Sequence, residues 1–319
     1  MIYLLLLLLS FTLTYLIKNY AIKKSLVAEV NERSSHSVPT PHGGGIAIAV
    51  TWFVGLGYLY FTDAFNEQLF YALLVGAIIA IVSFFDDLYE LSPKVRLITQ
   101  ALVAGLGICF LGGLREIDFG LFSVTNQFLT NGFAFLLIVW FINLYNFLDG
   151  INGYAGSEAL FLSMAGFILF GGGHFLVLAV AVLGFLYWNF GNAKIFMGDV
   201  GSTLLGYTVA VFTLYYGNVE SANLWVWIIL FGVFWFDATV TLIRRKLNGE
   251  KLSQAHKKHA YQRLTQAGWS HTKVVIASLF VNILLFCFVY GISNVFIAFV
   301  LAMVVLCVSM FFVEKQKVM

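Results

Sequence analysis

The chain has 319 residues, of which 61% are hydrophobic and only 11% charged, and its formal net charge is +2. Soluble domains usually carry about 25% charged residues, so we expect this chain to be surrounded by a bilayer. The small net charge gives no reason to expect a nucleic-acid partner. Cys109, Cys287 and Cys307 all lie in apolar segments without a CxxC pair, which argues against a disulfide framework or a structural zinc site.

Eleven segments are apolar enough to form membrane-spanning helices. They predict an all-α, polytopic membrane protein that forms a single domain over residues 1–319. The first segment is interpreted as a retained span, because no basic region precedes it and lysines follow it. The predicted spans are residues 2–18, 45–62, 68–85, 97–113, 133–148, 157–172, 175–190, 200–217, 223–243, 273–291 and 293–313.

The basic residues predict how these spans cross the membrane. With the N-terminus outside, 17 of the 18 Lys and Arg residues lie in or beside cytoplasmic segments, and only Arg115 lies outside. The positive-inside rule therefore predicts an outside N-terminus and a cytoplasmic C-terminus. The unusual polar clusters then all fall on the cytoplasmic face, where we expect them to form one active site. They occupy the loops 19–44, 86–96, 149–156, 191–199 and 244–272.

Two adjacent carboxylates, Asp86 and Asp87, end the third predicted span. Such a pair at a membrane surface is mutually repulsive and costly to desolvate. A divalent cation removes both problems, and Mg²⁺ prefers one or two protein carboxylates together with substrate phosphate oxygens. Lys94 and Arg96 follow, and they either hold phosphate charge or anchor the next helix at the interface.

Asn143, Asn146 and Asp149 are spaced i, i+3 and i+6 at the end of the fifth predicted span, so a helix places them on one face. A polar stripe on a membrane helix must face the protein or a wet cavity. Hydrogen bonding between helices is the alternative interpretation. Asp149 and Asn152 are each followed by glycine, and the resulting tight loop favours contact with a substrate.

Two glycine-rich segments supply further candidates. Gly44 and Gly45 end the segment 35–45, where glycines permit close approach to a ligand, although a flexible loop entering a helix is the alternative. Asp199 lies between Gly198 and Gly201 at a predicted helix start. This position suits a metal or phosphate site, and a plain helix N-terminal charge is the alternative.

The largest polar loop, 244–272, contains His256, His259 and Arg263, which could bind a diphosphate or a lipid phosphate. Positive-inside anchoring is the alternative, and it fully accounts for Lys246 and Lys251. Asp237, within the preceding span, is expected to pair with an arginine one or two turns further along.

In this order the motifs resemble those of the polyprenyl-phosphate N-acetylhexosamine-1-phosphate transferases, glycosyltransferase family four. The resemblance runs from about residue 30 to residue 265. It is carried by Asp86-Asp87 with Pro93-Lys94-x-Arg96, by Asn146-Phe147-x-Asp149-Gly150-Ile151-Asn152-Gly153, by Ala193-Lys194-Ile195-Phe196-Met197-Gly198-Asp199-x-Gly201-Ser202, and by the loop with His256 and His259.

Two further stretches resemble the O-antigen-initiating members, which use UDP-linked deoxy-N-acetylhexosamines. These are Asn31-Glu32-Arg33-Ser34-Ser35-His36, which leads to Thr40-Pro41, and His259-Ala260-Tyr261-Gln262. The spacing His256-Lys-Lys-His259 departs from the HxHH loop of other branches. The identity of the donor sugar therefore stays open.

The resemblance implies transfer of an N-acetylhexosamine 1-phosphate from a UDP-sugar to undecaprenyl phosphate, with release of UMP, in the inner membrane of a bacterium. It implies Mg²⁺, or Mn²⁺, held by Asp87 and Asp199, and it allows a homodimer. Asp86 is expected to orient or deprotonate the lipid phosphate. The expected substrate-binding residues are Gly44, Gly45, Lys94, Asn146, Asp149, Asn152, Lys194, His256, His259 and Arg263.

Two mechanistic alternatives bear on this expectation. A phosphate monoester has a second pKa of about 6, so the acceptor is mostly dianionic at neutral pH. Direct in-line attack is therefore favoured over formation of a phospho-aspartate. The competing class of protein is a transporter or flippase for a phosphorylated metabolite. A transporter should place polar residues near the bilayer midplane, often at broken helices, whereas these clusters lie at one face.

Overall fold

The computed structural model describes residues 1–24, 27–28, 40–62, 65–251, 254 and 256–316. Within these ranges the regular structure is almost entirely helical, as the sequence predicts. Two short antiparallel pairs of strands are also present, β1 (Val27–Ala28) with β2 (Thr40–Pro41) and β3 (Ile117–Asp118) with β4 (Ser123–Val124). The predicted motif residues 31–36 lie outside the described residues.

The described part of the chain contains α1 (Ile2–Lys23), α2 (Gly45–Phe61), α3 (Glu67–Leu74), α4 (Gly76–Tyr89), α5 (Pro93–Leu111), α6 (Gln127–Leu148), α7 (Tyr154–Phe170), α8 (Gly173–Asn189), α9 (Asp199–Val219), α10 (Ala222–Leu230), α11 (Gly232–Leu247), α12 (Ala260–Gln266), α13 (His271–Gly291) and α14 (Val295–Lys315). Each of the predicted spans coincides with one of these helices or with a consecutive pair. The short helix α12 lies in the large polar loop.

In the part of the chain that the structure describes, six helical segments are long and apolar enough to cross a membrane, namely α1, α3 with α4, α5, α6, α13 and α14. The pair α10 and α11, bent by 75°, adds a seventh if it counts as one broken span. The helices α2, α7 and α8 are apolar but shorter. An all-α polytopic membrane fold is therefore confirmed, while the count of eleven spans and the orientation of the termini stay predictions.

The centre of the fold is α9, in which 17 of 21 residues are buried. Glycines allow its neighbours to approach closely. A Cβ atom at Gly206 would lie 2.5 Å from the carbonyl oxygen of Phe141 in α6, and one at Gly45 would collide with the backbone of Gly201. The start of α9 is consequently held between the end of α6 and the start of α2, which brings together motifs that are far apart in the sequence.

Candidate active site

Asp86 of α4 and Asp199 of α9 face the same arginine of α5. The Nε atom of Arg96 lies 2.7 Å from Oδ2 of Asp86, and its Nη1 atom lies 3.9 Å from Oδ2 of Asp199. The other oxygen of Asp86, Oδ1, accepts a hydrogen bond from the backbone N–H of Leu91 at 2.7 Å. Both oxygens of Asp86 are therefore engaged, one of them in a charge-assisted hydrogen bond.

The turn between α4 and α5 determines which basic residue reaches this site. Glu90 adopts a left-handed conformation with φ of 49°, and Ser92 caps α5 by accepting a hydrogen bond from the N–H of Val95. With Pro93 as the first helical residue, Arg96 lies one turn inside α5 and faces back towards α4. Lys94, which the sequence favoured for substrate binding, is exposed.

Asp87 points towards the start of α9. The backbone N–H of Asp199 donates to Oδ1 of Asp87 at 3.3 Å, whereas Oδ2 is buried and has no hydrogen-bond partner among the described residues. A Cβ atom at Gly198 would lie 2.9 Å from Oδ2, and Gly198 has φ of +77°, so glycine is required here. A buried carboxylate oxygen without a donor is costly, and a cation would compensate it.

Two asparagines near the end of α6, Asn143 and Asn146, have different partners. Asn146 donates a side-chain hydrogen bond to Asp199, and its Nδ2 atom lies 3.3 Å from Oγ of Ser202. Asn143 instead donates to Oε1 of Gln100 in α5 at 2.7 Å. The substrate-site interpretation is therefore favoured for Asn146, whereas the alternative of hydrogen bonding between helices holds for Asn143.

Asp149 and Asn152 lie in the loop after α6. Burial, and then the negative charges of Asp199 and Asp87, raise the pKa of Asp149 to about 7. The Nδ2 atom of Asn152 donates to the carbonyl oxygen of Gly191 at 2.7 Å. Asn152 thus joins the loop after α6 to the loop before α9, and its amide nitrogen is engaged by the protein.

Gly44 and Gly45 lie at the start of α2, against the segment that leads to Asp199. Their backbone N–H groups donate to the carbonyl oxygens of Phe196 at 2.9 Å and Met197 at 2.8 Å. These contacts and the lack of space for a Cβ atom give both glycines a packing role, and ligand binding by them stays a prediction. His42, which the sequence did not single out, lies close enough to Asp199 to feel its charge, although burial lowers the pKa of His42 overall.

Lys194 forms no ion pair with the carboxylates of the site among the described residues. Its side chain is exposed, and its Nζ atom is 5.8 Å from the ring centroid of Trp188. Its role in substrate binding stays a prediction. Arg96, in contrast, contacts two of the carboxylates. The sequence contained a clue to the position of Arg96. Ser92-Pro93 marks the start of a new helix after a short turn, and this helix packs against α4.

The polar loop packs against the end of α6 through its short helix α12. The hydroxyl of Tyr261 donates to the carbonyl oxygen of Phe147 at 3.1 Å, and the ring of His259 lies 6.4 Å from that of Phe147. The ring of His256 is 4.8 Å from that of His259. Burial, together with the nearby His259 and Arg245, lowers the pKa of His256 to about 4, so this imidazole is neutral at pH 7. Arg263 is half-buried in α12.

The prediction that Asp237 pairs with an arginine of its own helix is wrong. Its carboxylate accepts hydrogen bonds from the N–H of Ala260 and the hydroxyl of Thr241, and it faces His259. Arg244 and Arg245 form ion pairs with Glu314 and Glu250. Arg244 and Arg245 lie seven and eight residues beyond Asp237, about 10–12 Å further along the axis of α11, which places them beyond its reach.

The site as a whole is rich in negative charge. Asp86, Asp87, Asp149 and Asp199 converge, and among the described residues Arg96 is the basic side chain that forms ion pairs with two of them, Asp86 and Asp199. Among the described residues no three carboxylate, imidazole or thiol groups form a ready metal cage. Mg²⁺ needs only one or two protein carboxylates and takes its other ligands from water and substrate phosphates, so the residues present fit this ion.

Comparison with known proteins identifies the family. The model of "Glycosyl transferase family 4" matches residues 69–217, which include Asp86, Asp87, Asn146, Asp149 and Asp199. The chain is 33% identical over 300 residues to the "Probable undecaprenyl-phosphate N-acetylglucosaminyl 1-phosphate transferase" of Bacillus subtilis, with 89% of this chain and 80% of the relative covered. This chain belongs to glycosyl transferase family 4.

This chain is also similar to two relatives of lower sequence identity. The chain is 26% identical over 311 residues to the "Undecaprenyl-phosphate alpha-N-acetylglucosaminyl 1-phosphate transferase" of Thermotoga maritima, with 95% of this chain and 93% of the relative covered. It is 29% identical over 320 residues to the "Decaprenyl-phosphate N-acetylglucosaminephosphotransferase" of Mycobacterium tuberculosis, with coverages of 85% and 76%. The predicted family is confirmed, and the resemblance to the O-antigen branch stays a prediction.

Proposed function

We propose that this family 4 transferase moves an N-acetylhexosamine 1-phosphate from a UDP-sugar to undecaprenyl phosphate, with release of UMP, at the cytoplasmic face of a bacterial inner membrane. The names of the relatives support a polyprenyl phosphate as acceptor and a sugar phosphate as the transferred group. The observation that carries the proposal is the unpartnered Oδ2 of Asp87 beside Asp199, with Arg96 adjacent. A cation and a diphosphate would complete this arrangement.

Asp87 and Asp199 would hold Mg²⁺, or Mn²⁺, and the side-chain amide of Asn146 would hold Asp199 in place. The bound ion would act as a Lewis acid that neutralises charge on the donor diphosphate. Arg96 would bind phosphate oxygens alongside it, since guanidinium groups suit phosphate geometry. Asp86 would hold Arg96 in place, because both of its carboxylate oxygens are already engaged.

The reaction needs no strong base. An oxygen of the lipid phosphate attacks the β-phosphorus of the donor, a new P–O bond forms, and the bond to UMP breaks with its electron pair leaving on UMP. The acceptor is mostly dianionic at neutral pH, because its second pKa is about 6. We therefore assign positioning, and not proton removal, to Asp86, and a phosphorylated Asp86 trapped with donor alone would contradict this.

The donor would lie between the loop after α6 and the polar loop. Asp149 and Asn152 approach it from one side, and His256, His259 and Arg263 from the other. His256 is neutral at pH 7 and would contribute hydrogen bonds, whereas Arg263 would contribute charge. The names of the relatives make UDP-N-acetylglucosamine the first donor to test, and the O-antigen resemblance adds UDP-linked deoxy-N-acetylhexosamines. The product would enter O-antigen or other cell-envelope glycan synthesis.

The isoprenoid tail has a suitable location in the membrane part of the protein. A groove of about 900 Å³ lies between α11, α12, α13 and α14. Its walls are mainly apolar, with Phe236, Ile276 and Phe280 among them, and it extends to Tyr154 and Tyr261 beside the loop after α6. A long apolar chain could lie here while its phosphate remains near the carboxylates.

The test is release of UMP by purified protein with undecaprenyl phosphate, Mg²⁺ and a panel of UDP-N-acetylhexosamines. We expect release that requires lipid, metal and Asp87, so that Asp87→Asn is inactive while Lys246→Gln, at an exposed residue outside the site, retains activity. Comparison of the two variants distinguishes the effect of losing a carboxylate of the site from the effect of changing a surface charge. Absence of release with every donor from folded wild-type protein would overturn the proposal, and release without lipid would indicate a hydrolase.

A further inference from the structure

Asp237 caps a helix to which it does not belong. Its side chain is 3% exposed, and both carboxylate oxygens accept the backbone N–H of Ala260 at 2.9 Å. The hydroxyl of Thr241 donates to Oδ1 at 3.0 Å. The N–H of the N-cap His259 is accepted locally by Oε1 of Gln262, whereas the N–H of Ala260 is accepted by α11, 23 residues earlier.

The same carboxylate faces the imidazole of His259. The Nδ1 atom of His259 lies 3.5 Å from Oδ1 of Asp237, and it is buried with no hydrogen-bond partner among the described residues. The ring is also confined by aromatic neighbours, since it lies within 8° of parallel to Tyr261 and within 24° of parallel to Phe147. With Nδ1 turned towards Asp237, Nε2 is the nitrogen left for a ligand.

These contacts connect α11 to the start of α12 in the polar loop. Asp237 faces α12, whereas Arg244 and Arg245 lie about two turns further along α11 and pair with Glu314 and Glu250. The position of α11 therefore helps to fix the start of α12, and with it His259 beside Phe147. A carboxylate that orients a histidine through one ring nitrogen leaves the other nitrogen in a defined direction.

We propose that Asp237 is a positioning residue that acts through His259 and presents Nε2 of that imidazole to the donor. The inference rests on the proposed function, in which His259 contacts the UDP-sugar. It predicts that loss of Asp237 impairs handling of the donor more than binding of the lipid acceptor, although Asp237 also lines the groove assigned to the lipid tail. A purely structural role would instead weaken the whole fold and both substrates together.

The experiment is a double-mutant cycle with Asp237→Asn, His259→Gln and the two combined, read as kcat and KM for each substrate and as calorimetric affinity for the donor. Asn keeps the shape but turns an NH₂ group towards Ala260 or His259. We expect Asp237→Asn to lower kcat/KM for the donor about tenfold, with a smaller change in the acceptor KM. The double variant should be no worse than His259→Gln, since residues that act through one another are non-additive.

Thr241→Val is the matched variant, because it removes one hydrogen bond from the same carboxylate and keeps the charge. It should shift the donor KM in the same direction by a smaller factor, and it replaces Asp237→Asn in the cycle if that variant does not fold. Additive effects, or an equal rise of both KM values with a lower Tm, would overturn the inference. Donor that binds without transfer in wild-type protein would overturn only the proposed function, whereas donor that does not bind at all would overturn both.

Discussion

The Nε atom of Arg96 lies 2.7 Å from Oδ2 of Asp86, so the cation of this site is the second basic residue of α5 and not the first. We expect Arg96→Gln to lower kcat/KM about a hundredfold, the scale seen when a charge-stabilising donor is removed from an active site. It should also lower the Tm, because Asp86 is then left buried without its partner. Lys94→Gln, two residues away at a side chain that forms no ion pair with these carboxylates among the described residues, should lower kcat/KM by a much smaller factor. Equal losses in the two variants would contradict the arrangement.

The contact between Gly198 and Asp87 can be tested with a second glycine as control. Gly198→Ala places a Cβ atom 2.9 Å from Oδ2 of Asp87 at a residue with φ of +77°. Gly191→Ala has a similar φ of +67° but open space around the new atom. Both variants should lose about 1–2 kcal/mol of stability from backbone strain. Only Gly198→Ala should abolish Mg²⁺-dependent activity, and loss of activity in both would indicate that the strain alone is responsible.

The charge of the site predicts how Mg²⁺ affects stability. In wild-type protein, added Mg²⁺ should raise the Tm and EDTA should reverse the rise, because a ligand that binds only the folded state stabilises it. Asp87→Asn should abolish this response, since it removes the carboxylate with the unpartnered oxygen. Glu220→Gln, at the far end of α9, is the control and should respond to Mg²⁺ as wild type does. The measurement is a thermal-shift titration with Mg²⁺ in detergent, and an unchanged response of Asp87→Asn would move the metal site elsewhere.

The pKa of His256 gives a defined dependence of stability on pH. It lies at about 4 in the folded protein, below the ordinary value of 6.5, chiefly because of burial. Between these two values the unfolded chain binds a proton that the folded chain does not, so stability falls as the pH falls from 6.5 towards 4. His256→Gln should make the decrease in Tm across this window smaller, with little difference at pH 8. A steeper decrease in the variant would contradict the direction of the shift.

Much of the architecture follows from the sequence because its causes are local. Apolar runs of sufficient length predict helices, and each predicted span coincides with one helix or a consecutive pair. Adjacent carboxylates at a span end and a glycine-flanked Asp199 at a helix start indicated a site from their own chemistry. Four ordered motifs then indicated family 4, which the likeness to the relatives confirms.

What only the tertiary structure decided is which neighbouring side chain faces the site. Arg96 and Asn146 face it, whereas Lys94 is exposed and Asn143 bonds to Gln100, and these choices depend on the rotation of each helix about its axis. Oδ1 of Asp87 accepts a hydrogen bond from the N–H of Asp199, 112 residues later in the chain. The glycines that leave room for this contact pack against residues of other helices. Such contacts depend on how helices pack against one another, which local spacing does not determine.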